Sequence, residues 1–334
     1  MRKLVLLVVC VLLALPVLGQ TTLNGAGATF PNPMYSKWFS EYSKLHSDVQ
    51  INYQPIGSGG GIRQVTAGTV DFGASDMPMT DKQLQDAKTK ILNIPTVLGA
   101  VVPAYNIPGV SGEVKFTPEI LAGIFLGKIS RWNDKTITSV NPDISFPDKE
   151  IIVVHRSDGS GTSFIWTDYL SKVSPEWKSQ VGADTSVKWP VGMGGKGNEG
   201  VSGLVHQLSG SIGYVELIYA VQQKIPYGTV RNSAGNFVKA SLESVTAAAA
   251  SAPKMPADFR VSITNPPGKD AYPIASFTWL LIPATSKDSN KGKILHDFLS
   301  WMVTDGQQMT SALTYAPLPD NVAAKVKEAI KQVK

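Results

Sequence analysis

The sequence predicts an α/β fold with mostly parallel sheet, and three observations carry that prediction. Two stretches read as strands. "QINYQPI" (50–56) alternates apolar and polar residues, and "IIVVH" (151–155) is the unbroken apolar run of a strand buried on both faces. Each is followed by small residues, "GSGGG" (57–61) and "HRSDGSGTSF" (155–164). Each of those stretches then leads into helical spacing.

After "GSGGG", "IRQVTAG" (62–68) reads as a short helix. After the second loop, Ile165, Tyr169 and Val173, joined by Trp166 and Leu170, fall on one helical face. Near residue 20, "NGAGATFPNP" (24–33) precedes Met34, Trp38 and Tyr42, and Pro31 or Pro33 suits the first turn of that helix. "YPIASFTWLLIP" (272–283) reads as a further strand, followed by helices at about 290–304 and 320–333. "TAAAASAP" (246–253) fits a short helix or a loop. No repeat of solenoid period is present, and no Pro/Ser-rich linker divides the chain.

The chain has 334 residues, enough for about two domains. Its start, "MRK", then 16 residues from Leu4 to Gly19 without a charge, then polar "QTT", reads as a secretory signal peptide over 1–19. Export to the periplasm is therefore expected. Cys10, the only cysteine, lies in that run; the bulky Val9 before it disfavours lipid anchoring there. Without the leader no cysteine remains, so stability must come from packing. Removing the leader takes away Arg2 and Lys3 and leaves a net charge of +3. That surplus suits a small anion weakly. No basic block dense enough for nucleic acid is present.

Enzyme motifs are missing. His46, His155, His206 and His296 are scattered, no HExxH occurs, and a metal site or cofactor is not expected. Ser58 and Ser160 have Ile56 and Asp158 where a nucleophile elbow needs glycine. One G-x-G-x-x-G occurs, "GMGGKG" (192–197), with Glu216 beyond it. It follows Pro190, which does not suit a central strand, so a plain glycine-rich loop is the expectation.

What remains is anion chemistry. The first N–H groups of a helix lack partners within it, and the helix dipole is positive there. Glycine opens access, and Ser or Thr adds hydroxyl donors. "GAGATF", "GSGGG" and "GSGTS" share that composition, and Arg156 adds a forked cation. The same residues are ordinary helix caps, and Asp76 and Asp158 would repel an anion. Composition alone leaves cap and anion cradle both open.

The ordered motifs "NGAGATFPNPMYSKW", "NYQPIGSGGGIRQV", "TVDFGASDMPMT", "RSDGSGTSF", "VKWPVGMGGKGNEGV" and "IGYVE" resemble those of the periplasmic phosphate-binding proteins of bacterial phosphate ABC transporters, from about residue 23 to about 320. The resemblance implies a periplasmic-binding-protein fold: two lobes of mixed sheet flanked by helices and joined by two hinge strands. Lobe I would be 20–98 and 275–334, lobe II 99–274, with crossings near 97–106 and 270–277. It implies a receptor that delivers inorganic phosphate to membrane permease and ATPase subunits, as a monomer and without catalysis. It assigns phosphate contacts to Thr29, Ser58, Ser160 and Thr162 through hydroxyl and backbone N–H, to Phe30 and Gly161 through N–H alone, to Asp76 as the carboxylate facing the ligand, and to Arg156 as the paired cation. Asp158 would orient Arg156. Gly59 and His155 stand where the family pattern has serine and arginine. Facing Asp76, an anion must bring a proton to donate, which phosphate does and sulfate at neutral pH does not. Another tetrahedral oxyanion such as sulfate, or phosphoester hydrolysis at Ser160 or Ser58, are the alternative readings.

Overall fold

The structure, a computed structural model, describes residues 20–334. The expected leader, with Cys10, lies outside the described residues.

The chain opens with β1 (Thr21–Gly27), α1 (Asn32–Leu45), β2 (Val49–Gln54), α2 (Ser58–Ala67), β3 (Phe72–Ser75), α3 (Asp81–Asp86) and the long β4 (Ile91–Asn106). It continues through β5 (Lys115–Phe116), α4 (Pro118–Phe125), α5 (Lys135–Thr138), β6 (Ile152–Arg156), α6 (Gly161–Val173), α7 (Pro175–Gln180), β7 (Met193–Gly195), α8 (Gly197–Gln207), β8 (Ser211–Glu216) and α9 (Leu217–Gln222). After β9 (Thr229–Arg231), β10 (Phe237–Val238) and α10 (Leu242–Ser251) come β11 (Ala275–Pro283), α11 (Ser289–Met302) and α12 (Asp320–Ile330).

Eight strands form one mixed sheet in the order β2-β1-β3-β11-β4-β8-β6-β7. Its two ends are matching parallel units, with β1 between β2 and β3, and β6 between β7 and β8. The expectation of mostly parallel sheet therefore holds only within those units. β11 runs antiparallel to β3 and β4, and β4 antiparallel to β8. Direction was not legible in these two strands, because a strand buried on both faces shows the same apolar run whichever way it points. β4 changes partner midway: Ile91–Ala100 pairs with β11 and Val101–Asn106 with β8. At that switch Val101 N–H donates to Ile274 O at 2.9 Å, and Tyr272 Oη donates to Val101 O at 3.0 Å.

The helices form where apolar spacing predicted them. α1 buries Met34, Tyr35, Trp38, Phe39 and Tyr42, with Pro33 in its first turn. These rings meet Tyr53, Phe72 and Phe298 in one aromatic cluster. Fully burying one large apolar side chain contributes about 1.5–3 kcal/mol, so such clusters can hold the fold without disulfides.

One boundary differs from expectation. "GSGGG" does not precede α2 but forms its first turn. A Cβ on Gly61 would lie 2.6 Å from Gly27 Cα and from Ala74 O, so only glycine lets α2 sit this close to β1 and β3. The packing requirement outweighs the roughly 1 kcal/mol by which glycine disfavours helix.

Candidate functional site

In a parallel sheet the loops after the carboxyl ends of adjacent strands converge. Here they carry Ala28–Phe30 after β1, Ser58 after β2, Asp76 after β3, Arg156–Thr162 after β6 and Asn198 after β7. The start of α2 faces the start of α6: Gly59 N–H donates to Gly159 O at 2.9 Å. A Cβ on Gly161 would strike Ser58 Oγ and lie 2.6 Å from Asp76 Oδ2, so glycine is required for the approach. Thr29, Phe30, Ser58, Asp76, Arg156, Ser160, Gly161 and Thr162 are all buried in this cluster.

Arg156 supplies the positive charge. Its Nε and Nη2 donate to the two oxygens of Asp158 at 2.8 and 2.6 Å, and Nη1 donates to Thr162 Oγ1 at 3.2 Å. Three of its five N–H bonds are thereby used, and two are left. Asp158 also accepts from Gly197 N–H at 3.0 Å. Burial raises the Asp158 carboxyl, but Arg156 and the Gly197 N–H outweigh that and hold it below its ordinary value. Behind the arginine, Tyr214 Oη accepts from Arg156 N–H at 3.0 Å.

The backbone N–H groups of Thr29, Phe30, Ser58, Gly161 and Thr162 donate to no other group among the described residues. Three tyrosines explain their direction at the first loop. Tyr53, Tyr219 and Tyr315 donate to the carbonyls of Ala28, Thr29 and Phe30 at 2.7, 2.6 and 2.6 Å. Carbonyl and N–H point oppositely across a planar peptide, so holding the Ala28 and Thr29 carbonyls back fixes where the Thr29 and Phe30 N–H groups aim.

Asp76 is the exception in a field of donors. Its Oδ1 accepts from Thr278 Oγ1 at 2.7 Å, while its buried Oδ2 has no partner. Burial, only partly offset by the Thr278 hydroxyl, the Arg156 charge and Ser58, pushes its carboxyl up to about 7. The site thus combines one free acceptor, one cation and several free donors away from water. Such a set suits a small tetrahedral oxyanion that also carries a proton.

One expected contact changes in detail, and one departure from the family pattern finds its place. The Ser160 N–H is not free, because it donates to Thr185 O at 2.8 Å. The Ser160 hydroxyl oxygen caps α6 by accepting from Ser163 N–H at 3.0 Å, so what it can still offer is its proton. His155 packs against an aromatic ring. Its ring stacks on Trp189 with centroids 4.9 Å apart, and burial lowers its pKa.

"GMGGKG" is more than a plain loop. It contains β7 and enters α8, with β7 at the sheet edge, where Pro190 is tolerated. It delivers Gly197 to Asp158 and, one residue on, Asn198. The Asn198 N–H and Nδ2 donate to Thr29 Oγ1 at 3.1 and 2.9 Å, and Nδ2 also donates to Thr162 Oγ1 at 3.1 Å. Neither Asn198 nor the three tyrosines was found from sequence. Only the glycine-rich setting of Asn198 gave a signal, and it pointed to a loop rather than to a ligand.

A family model described as a PBP superfamily domain matches residues 18–306. The chain is 47% identical over 306 residues to the phosphate-binding protein PstS of Xylella fastidiosa (strain Temecula1), covering 91% of this chain and 83% of that one. The chain belongs to the PstS family. The Haemophilus influenzae PstS is 44% identical over 319 residues, covering 95% of both chains. Among solved structures, a high-affinity periplasmic phosphate-binding protein (PfluDING) bound with phosphate superposes with TM-score 0.75 at 22% identity, covering 92% of this chain and 93% of that one. A phosphate-binding protein from Stenotrophomonas maltophilia gives 0.69 at 19%, with the same coverage. These structural likenesses bear on fold alone: PstS proteins and this chain share the periplasmic-binding architecture, a mixed sheet flanked by helices. Among the described residues no helix is long and apolar enough to cross a membrane.

Proposed function

We propose that the chain is the phosphate receptor of a Pst-type ABC importer. It binds one dehydrated inorganic phosphate and hands it to permease and ATPase subunits in the membrane. The observation that carries this reading is the buried set of N–H and O–H donors around Arg156, interrupted by the single free acceptor Asp76 Oδ2. Thr29, Phe30, Ser58, Gly161 and Thr162 donate to the anion, Ser160 gives its hydroxyl proton, and Arg156 gives its two remaining N–H bonds. Asp76 accepts the phosphate proton.

On this reading the lobes are 20–98 with 275–334, and 99–274. They hinge where β4 changes partner and where residues 270–277 return beside it. The partner switch at Ala100/Val101 and the bond from Val101 N–H to Ile274 O support that division. Bonds between the segments, such as Gly59 to Gly159 and Asn198 to Thr29, belong to the closed form. The protein works as an exported monomer in the periplasm and turns over no substrate, so a phosphatase assay on it should read background.

The test is titration calorimetry of phosphate-stripped protein, paired with small-angle scattering. Tight 1:1 phosphate binding with a smaller radius of gyration is expected. Absence of phosphate binding would overturn the reading, and binding at unchanged dimensions would remove lobe closure from it.

A further inference from the structure

We propose that Asn198 is a positioning residue that turns the hydroxyls of Thr29 and Thr162 into obligate donors toward the bound anion. A hydroxyl has one proton and two lone pairs, and its proton rotates to whatever acceptor is offered. Thr29 Oγ1 already accepts two hydrogen bonds, both from Asn198, through the backbone N–H and Nδ2. Thr162 Oγ1 also accepts two, one from Asn198 Nδ2 and one from Arg156 Nη1. Both oxygens are therefore saturated as acceptors. The only bond each can still make is to donate its proton, and the anion is the acceptor it meets.

The orientation of the Asn198 amide follows from its other end. Glu216 N–H donates to Asn198 Oδ1 at 2.9 Å, which puts the NH2 group on the threonine side. Asn198 is fully buried, so no water competes for these bonds. Of the two threonines, Thr29 lies in the β1–α1 loop and Thr162 on α6, at opposite ends of the sheet order. One amide thus sets donors on both sides of the site, and its bonds to Thr29 form only when the two sides meet. The inference rests on the phosphate reading given above.

The test is a double-mutant cycle read by phosphate calorimetry on stripped, full-length mature protein. Asn198→Ala should weaken phosphate binding about tenfold in the parent. In a Thr29→Val/Thr162→Val background, which has no hydroxyls to orient, the same change should cost less than twofold. An equal loss in both backgrounds would overturn the proposal, because a merely structural role acts regardless of the hydroxyls. Asn198→Asp guards against a packing defect. It keeps the volume and the acceptor for Glu216 N–H but offers the threonines an acceptor, so it should weaken phosphate more than Asn198→Ala. A smaller loss than for Asn198→Ala would also overturn the proposal. If the parent itself bound no phosphate, the functional reading would fail before the cycle began.

Discussion

The two ends of the sheet repeat one topology but do different chemistry. In each, a central strand is flanked by the next two in sequence: β1 by β2 and β3, β6 by β7 and β8. The loops correspond in turn. Ala28–Phe30 matches Arg156–Thr162, Ser58 matches Asn198, and Asp76 after β3 matches Glu216 at the end of β8. Both acids are buried, and both have one oxygen held and one without a partner. Yet the free oxygen of Asp76 faces Gly161 and the donor cluster, while that of Glu216 lies against Gly99 on β4. The β1 unit holds the carboxylate with a free buried oxygen, which on the proposed reading accepts the phosphate proton. The β6 unit supplies Arg156 and the capped helix. On that reading both units donate hydrogen bonds, while the counter-charge and the proton test are divided between them.

The sharpest way to break that division is Arg156→Ala. It removes the only cation of the cluster and leaves Asp158 without its buried partner, so phosphate binding should weaken by roughly 2–5 kcal/mol. Calorimetry reads this directly, and near-parental affinity would take Arg156 out of the site. Gly161→Ala should weaken phosphate by about 1–3 kcal/mol, the usual cost of overpacking, because its methyl group meets Ser58 and Asp76 only when the two units approach. Scattering with phosphate should then show less compaction than in the parent.

How much of this was readable beforehand differs by range. The small-residue loops, the helices they enter and the apolar strands were legible because they are local patterns. Arg156 stood out as a cation beside those loops, and the resemblance, residue by residue, added roles for Asp76 and Asp158. Tyr53, Tyr219 and Tyr315 were not legible, because their bonds to the Ala28–Phe30 loop span 25, 190 and 285 residues. Nothing in the sequence around a tyrosine shows which distant carbonyl it holds. The same applies to Asn198 and Thr29, 169 residues apart. The glycines of α2 misled because helix propensity penalises them, whereas the approach of Gly61 to Gly27 is tertiary.

A subtler prediction separates the two acids buried in the closed form. Both carboxyls are raised above their ordinary values by burial, Asp76 to about 7. A raised folded-state pKa means stability that is present at low pH and lost as pH rises through that value. For Asp76 the loss falls between about pH 4, the ordinary carboxylate value, and about 7. Melting temperatures should decline across that window, and Asp76→Asn should flatten the decline. Glu216→Gln is the smallest expected effect. It should leave phosphate affinity within twofold of the parent, since Glu216 does not face the donor cluster. A large loss would mean that the two carboxylates share one role.

The central claim is that Asp76 selects the anion by demanding a proton. Sulfate and phosphate calorimetry on the parent and on Asp76→Asn, at pH 8 and pH 6, tests it most directly. An ionised Asp76 facing sulfate leaves a buried acceptor unsatisfied, a penalty of about 1–3 kcal/mol, larger with charge. The parent should reject sulfate at pH 8 and bind it measurably better at pH 6, where Asp76 takes up a proton and can donate it. Asp76→Asn should bind sulfate at both pH values with little difference. Sulfate rejection that is the same in parent and variant, at both pH values, would contradict the account.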